Sequence, residues 1–503
     1  MSFFQLSTLF GDHAVLSRGK EIRIFGSAQK GAVLSAALRD GSGRILAEDK
    51  TCEAGGSFLF HLPPQLPQND CSLTIACGDE SITCSDIAIG DVYLANGQSN
   101  MELELQNADE GKELLKTHEN ALVRFYNVPK CPRAGKEAED ANKRAGWRMI
   151  CPGEGADMSA AAYFFAMKLQ PALNVPIGII DCYWGGTSIT CWMDEICLSW
   201  TDEGRRYLLE YERQSEGKTM ETYLAEEKAW QREMDDWNEA AEALKLKQPQ
   251  ISPQELGKKL GPYPWHPPVG AGSPYRPHGL FHTMLERVVP YTLTGILYYQ
   301  GEEDTWRTEH YDILLAAYIL RLRELFLDNE LPFLNVQLPM WIDANAEADS
   351  KTWPRLRLAQ QKVYRNLRNT GLTVLIDQGE YDNIHPTNKR VVGERLFESA
   401  MEVIYHRAAK MAVFACAKYA LGGSLHVLLS APVYARESGD YLMEVAGQDG
   451  IFHPAEVSLN GAELILTSQQ VSAPIMARYA WTDYGIVCLF GPDDLPLAPF
   501  WLM

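Results

Sequence analysis

Between residues 90 and 405 short apolar runs alternate with helical stretches, and nearly every run ends in a turn of glycine, amide or hydroxyl residues. This alternation constrains the fold more than any other feature. Parallel strands need a crossover between them, usually a helix, and a strand buried on both faces reads as a continuous apolar run. The runs fall at residues 92–95, 175–181, 295–299, 332–338 and 372–377, and the helical stretches at 159–170, 310–327, 354–367 and 388–405. The pattern predicts a three-layer α/β/α domain over residues 89–405.

The flanks read differently. Residues 1–88 hold short alternating runs such as Glu21-Ile22-Arg23-Ile24-Phe25 between Gly, Pro, Asn and Asp clusters, which predicts an antiparallel β-sandwich. Residues 408–503 return to short β-like runs and predict a second β domain. Residues 201–262 interrupt the α/β pattern with a charged helical insertion, in which residues 220–246 contain neither Gly nor Pro. Such an insertion is expected across the edge or mouth of the sheet. The Pro-rich, aromatic segment that follows it, Gly261-Pro262-Tyr263-Pro264-Trp265, is expected at a pocket rim.

Charge and cysteine usage narrow the function. With 66 acidic against 46 basic residues and a formal charge of −20, the chain lacks the basic face that nucleic-acid phosphates require. No run approaches the roughly 18–20 apolar residues that cross a bilayer, so no membrane partner is expected. The amino terminus has neither the basic start nor the apolar core of a signal peptide, which predicts a mature or cytoplasmic chain. Eleven cysteines, including Cys182, Cys191 and Cys416 among apolar neighbours, suit buried thiols in a reducing compartment. Cys182, Cys191 and Cys197 lack a zinc spacing.

The strand ends differ in chemistry. Gly97-Gln98-Ser99-Asn100 follows the first, Gly185-Gly186-Thr187-Ser188 the second, Gln300-Gly301-Glu302-Glu303-Asp304 the third, and Asp382-Asn383-Ile384-His385-Pro386 the fifth. In open α/β sheets ligands bind outside the carboxyl ends of the strands. A serine, donor-bearing turns and an Asp-x-x-His pair at one sheet edge are the parts of an acyl-transfer site. A serine hydroxyl needs a histidine to accept its proton, and the histidine needs a carboxylate to hold its tautomer. Ser99, His385 and Asp382 fit these roles. The oxyanion needs N–H donors, for which the Ser99 and Gly186 backbone and the Gln300 amide are candidates.

Gly97-Gln98-Ser99-Asn100-Met101, Trp184-Gly185-Gly186-Thr187, Tyr299-Gln300-Gly301-Glu302 and Ile384-His385-Pro386-Thr387-Asn388-Lys389 resemble the motifs of sialate O-acetylesterases and related acetylxylan esterases of the GDSL/SGNH hydrolase superfamily. The resemblance extends to Leu9-Phe10-Gly11-Asp12 in the leading β domain and to Pro332-Phe333-Leu334-Asn335-Val336 in the core. It implies a flavodoxin-like SGNH hydrolase domain with flanking β-sandwich domains, Ser99 as nucleophile, His385 as base, Asp382 as third member and Gly186 as oxyanion donor. Gln300 is the favoured further donor, since ionised Glu302, Glu303 or Asp304 cannot donate. The implied substrate is a glycan or small sugar carrying O-acetyl groups, sialic acid first and acetylated xylan second, with no metal and no organic cofactor. A sialate carboxylate calls for an arginine, and Arg276 and Arg307 are the candidates.

The chain departs from the relatives in having Asn383 where many carry an acid, in Asp304 where Asn is common, and in the insertion. Other classes fit less well. No Gly-x-Ser-x-Gly elbow and no Gly-rich nucleotide fingerprint is present. His278 and His282, four apart but without a His-Glu-x-x-His motif, read as polar rim residues rather than metal ligands. A non-catalytic sugar-binding protein, suited by twelve tryptophans and twenty-two tyrosines, is the alternative of another class.

Overall fold

One strand of 18 residues, β1 (Glu80–Gly97), belongs to two sheets, and its sequence changes character where it passes between them. Up to Asp86 it carries polar and exposed side chains and pairs antiparallel with Gln68–Cys77. From Ile87 to Gly97 every residue is apolar, Gly, Asp or Asn and all are buried, the antiparallel pairing ending at Ile89 and parallel neighbours flanking the strand on both sides from Tyr93. Half-exposed antiparallel pairing tolerates the first composition, whereas burial on both faces demands the second. No break therefore falls at residue 88. The computed structural model describes residues 4–343, 346, 348–436 and 441–503.

The central sheet comprises β1, β2 (Asn120–Asn127), β3 (Trp147–Ile150), β4 (Ile177–Tyr183), β5 (Gly295–Tyr299), β6 (Phe333–Val336) and β7 (Thr370–Thr373), in the order β3-β2-β4-β1-β5-β6-β7. All its pairs are parallel except β3 with β2. The chain leaves β1 to build one side of the sheet through β4 and then returns to build the other through β5. The carboxyl end of β1 is thus the topological switch point, where a crevice opens. Helices flank the sheet: α2 (Ala160–Leu173) packs on α10 (Lys389–Val403), and α8 (Tyr311–Leu325) on α9 (Thr352–Asn366). At Gly393 a Cβ would lie 2.5 Å from the Phe165 backbone nitrogen, so only glycine lets α10 come this close to α2.

The sequence pattern passes over β2 and β3. Arg124 breaks the apolar run of β2, yet its guanidinium is buried and donates to Asp86 Oδ1 at 3.0 Å and His13 O at 3.0 Å. The last strand lies two residues earlier than its apolar run. Beyond Thr373, Arg395 takes the carbonyl of Val374 at 2.7 Å in place of a ladder partner.

Around this core lie β elements at both ends. Phe4–Leu6, Ile22–Ala28 and Ser57–Leu62 form one amino-terminal sheet, facing a second that holds Val33–Arg39, Ile45–Cys52 and Gln68–Cys77. After α10 come two four-stranded sheets and a two-stranded ribbon. The insertion consists of α4 (Asp202–Ser215), α5 (Met220–Lys247) and α6 (Pro253–Leu260), preceded by α3 (Glu195–Ser199) and followed by α7 (Gly279–Thr283). Of the 28 residues of α5 only Tyr223 and Ala241 are buried, so the helix lies on the surface. Trp230 and Trp237 hold it to the rim by donating to Pro264 O at 2.9 Å and Gly261 O at 3.2 Å. All eleven cysteines are free thiols, but Cys416 is exposed on an edge strand rather than buried. Among the described residues no helix is long and apolar enough to cross a membrane.

Candidate active site

Ser99 is presented by the way β1 ends. Gly97 has φ 144°, and a Cβ there would sit 2.1 Å from Tyr299 O, so glycine alone allows β1 and β5 to stay paired up to the turn. The Gln98 side chain then joins the two strand ends, its Oε1 accepting from Gly301 N at 3.3 Å and Glu303 N at 3.2 Å. Ser99 opens α1 (Ser99–Glu102), and its backbone N–H meets no acceptor among the described residues, as expected of a first-turn position.

Asn100 brings the histidine loop to this turn. Its Nδ2 donates to Glu302 Oε1 at 2.6 Å and to Ile384 O at 2.9 Å, and its Oδ1 accepts from Lys389 Nζ at 2.6 Å. One buried amide thus ties together the turns after β1 and β5 and the start of α10. With Ile384 held there, His385 Nε2 lies 2.8 Å from Ser99 Oγ. Burial pushes the Lys389 amine down to about 7 and lifts the Glu302 carboxyl. Sequence reasoning assigned no role to Asn100, Glu302 or Lys389. The signal was a lysine four residues beyond His385, at the first turn of a helix, where a cation is disfavoured unless something else holds it.

His385 reaches solvent at the cavity mouth, but the protein packed about its ring, with a further contribution from Lys389, pushes its pKa down to about 4. The imidazole is therefore neutral at ordinary pH and free to accept a proton at Nε2. Asp382 does not meet it. Among the described residues no carboxylate lies within hydrogen-bonding or ion-pair distance of either ring nitrogen, so the third role expected of Asp382 has no contact behind it. The reason lies between them. Asn383 Oδ1 accepts from the His385 backbone N at 3.0 Å, while its Nδ2 donates to Glu380 Oε2 at 2.8 Å. This side-chain turn closes the loop on the asparagine.

The second donor turn stands against the serine. A Cβ on Gly185 would be 3.4 Å from Ser99 Cβ, and Gly185 N donates to Glu102, which in turn pairs with Lys130. Gly186 has φ 68°, and a Cβ there would fall 2.1 Å from the Trp265 ring. Its N–H has no acceptor among the described residues. Gly186 and Ser99 thus keep their backbone donors free on two turns that line one cavity.

Gln300 corrects the remaining expectation. Its amide is fully buried, donating from Nε2 to Asp304 Oδ2 at 2.5 Å and Thr187 O at 3.0 Å, while Oε1 accepts from Tyr311 OH at 2.7 Å. A side chain so committed has no hydrogen left for an oxyanion. Asp304 is equally architectural, because it also accepts from Ser188 Oγ at 2.6 Å and Ile189 N at 2.8 Å and so anchors the glycine turn.

Ser99, His385, Gly186, Trp265, Trp341 and Ile384 are among the residues lining a cavity of about 980 Å³. A smaller cavity of about 270 Å³ shares Gly186, Tyr275 and Glu303 with it and carries Arg276 and Arg307 on its walls. Arg307 pairs with Glu210 and stacks on Trp306 and Tyr207 at 4.2 and 4.5 Å, but its Nη1 is buried without a partner. Arg276 donates to Ser273 O at 2.5 Å. Burial pushes the Glu303 carboxyl between the cavities up to about 7. His278 and His282 line neither cavity.

Comparison with known proteins agrees with this geometry. The family model described as carbohydrate esterase, sialic acid-specific acetylesterase matches residues 265–402, the half of the site that runs from Trp265 through His385. The human sialate O-acetylesterase is 24% identical over 522 residues, covering 95% of this chain and 88% of that protein. The mouse sialate O-acetylesterase is 24% identical over 415 residues, covering 76% and 70%. A crystal structure of a carbohydrate acetylesterase from Xanthomonas citri superposes with a TM-score of 0.76 at 26% identity, covering 99% of each chain. A serine and histidine in contact at a switch point, on a fold similar from end to end to that of an acetylesterase, place the chain among the carboxylic ester hydrolases, and in sequence it is similar to the sialic acid-specific acetylesterases among the carbohydrate esterases.

Proposed function

We propose that the chain is a serine esterase that removes O-acetyl groups from a sugar, with O-acetylated sialic acid as its substrate. The observation that carries this reading is the 2.8 Å contact between His385 Nε2 and Ser99 Oγ beside two unoccupied backbone donors. As Ser99 Oγ attacks the acetyl carbonyl, His385 takes its proton and the carbonyl oxygen becomes an oxyanion between the N–H groups of Ser99 and Gly186. The imidazolium returns the proton to the departing sugar hydroxyl, leaving an acetyl-serine. Water, deprotonated by the same nitrogen, then releases acetate and restores Ser99. Residue assignment is tested with an aryl acetate: Ser99→Ala is expected to lose activity by several orders of magnitude, and a fluorophosphonate to label the native chain at Ser99. A chain that takes no label would be the non-catalytic sugar binder.

The names of the curated relatives support sialic acid, and so does the side cavity. The buried, unpartnered Nη1 of Arg307 next to Arg276 suits a substrate carboxylate, which a neutral xylan lacks. Arg307→Ala is expected to raise KM for 9-O-acetylated sialic acid about tenfold or more, the worth of a hydrogen bond to a charged group, and to leave acetylated xylan fragments unaffected. Preference for the xylan fragments, insensitive to Arg307, would overturn the sialate substrate and leave the esterase reading standing.

A further inference from the structure

We propose that Glu195, His278 and His282 form a zinc site that fastens the two ends of the helical insertion to each other. The residues lie on α3, which precedes the insertion, and at the start and within α7, which follows it. Their ligand atoms are all within 4.8 Å of one another. Glu195 Oε1 stands 3.5 Å from His278 Nδ1, and Glu195 Oε2 stands 3.0 Å from His282 Nε2. A metal held at about 2.0–2.2 Å from each atom needs side-chain adjustments of under about an ångström, and two imidazoles with one carboxylate are a zinc donor set with room for water as fourth ligand.

Two further features separate this cluster from a chance meeting of polar side chains. His278 Nδ1 is shut off from solvent and makes no hydrogen bond, so a nitrogen able to offer a lone pair is kept 3.5 Å from Glu195 Oε1, with Arg276 and His282 as its other charged or titratable neighbours. Glu286 Oε2 lies 3.3 Å from His282 Nδ1, on the far side of the ring from Glu195. That is the carboxylate–histidine–metal arrangement, in which an outer carboxylate holds the tautomer that presents the other nitrogen. The competing arrangement is a protonated His282 between two glutamates, and it leaves the His278 nitrogen without a function.

The consequence is positional. His278 N donates to Thr190 O at 2.8 Å, so the site is joined to the segment just beyond the Gly185-Gly186 turn. Trp265, Tyr275 and Arg276 stand on the chain that returns from the insertion to His278. Zinc at this place would hold that rim against the sheet without touching the reacting atoms.

The full chain, stripped with EDTA and titrated with zinc sulfate in a calorimeter, is expected to bind one equivalent at micromolar or lower concentration and to melt at a higher temperature when loaded. Cobalt in place of zinc is expected to give the intense visible bands of a four-coordinate ion. His282→Gln and Glu195→Gln should each weaken binding by at least about tenfold, and Glu286→Gln by a smaller factor within the 10–100-fold range of outer-sphere partners. Should the stripped chain take up no zinc, or should its affinity be the same in the His282→Gln and His278→Gln variants with their melting curves intact, the site does not exist and the cluster is an ion-pair network. Either result is independent of aryl acetate hydrolysis, which the stripped chain is expected to retain.

Discussion

Asn383, rather than either residue of the Asp-x-x-His pair around it, decides how the histidine loop closes. By accepting from the His385 amide it uses the loop's turn to orient the backbone and leaves Asp382 away from the ring. Asp382→Asn is therefore expected to change kcat by less than about tenfold, whereas a carboxylate that held the imidazole tautomer would cost about 10⁴-fold. Without an acidic partner His385 stays a weak base, its pKa pushed down to about 4. The sign follows directly: the neutral, active form persists above that value, and kcat/KM for an aryl acetate should fall only as pH drops through about 4. An acid limb near 6 to 7 would show that a carboxylate reaches the ring during turnover.

Strand ends and the turns they feed set the next scale. The Gly185-Gly186 turn is confined between Ser99 on one side and the Trp265 ring on the other, with φ 68° at Gly186. Gly186→Ala adds a methyl that cannot fit beside Trp265 and a left-handed conformation costing about 1–2 kcal/mol. The turn must shift, and with it an oxyanion donor, so kcat is expected to fall about 10²–10³-fold while the chain still folds. Trp265→Ala in the same chain should recover part of that loss by vacating the space. No recovery would mean that the backbone conformation, not the neighbouring ring, makes glycine necessary.

At the scale of the molecule the carboxyl-terminal β domain contributes to the cavity without entering it. Asp483 accepts from Trp353 N at 3.1 Å and Ser350 N at 2.9 Å, capping α9 from another domain, and its carbonyl accepts from Trp341 N at 2.9 Å. Trp341 is a wall of the Ser99 cavity. Asp483→Ala leaves buried donors unpaired, at a cost of about 1–3 kcal/mol. It should lower Tm and raise KM for the sugar ester, while fluorophosphonate labelling of Ser99 proceeds at its former rate. A slowed labelling rate would show that the damage spreads to the nucleophile.

Composition and pattern by themselves determined the α/β class, the strand at residues 295–299, the presence of the strand expected at 175–181 though it lies two residues later, and the assembly of Ser99, Gly186 and His385 at one edge. Each of these follows from local rules: continuous apolar runs for buried parallel strands, and glycine where backbone must approach backbone. Beyond that reach lay β2, whose buried Arg124 finds its partners on Asp86 and His13, more than 30 residues away in sequence. Gln300 was legible as an amide at a strand end, but only the fold shows that Asp304, Thr187 and Tyr311 consume its hydrogen-bonding capacity. The same holds for Asp382, separated from His385 by a turn that its neighbour closes, and for Glu195, brought to His278 and His282 across the whole insertion. Which polar groups a side chain satisfies depends on partners that are distant in sequence and close in space, and tertiary structure alone sets that distance.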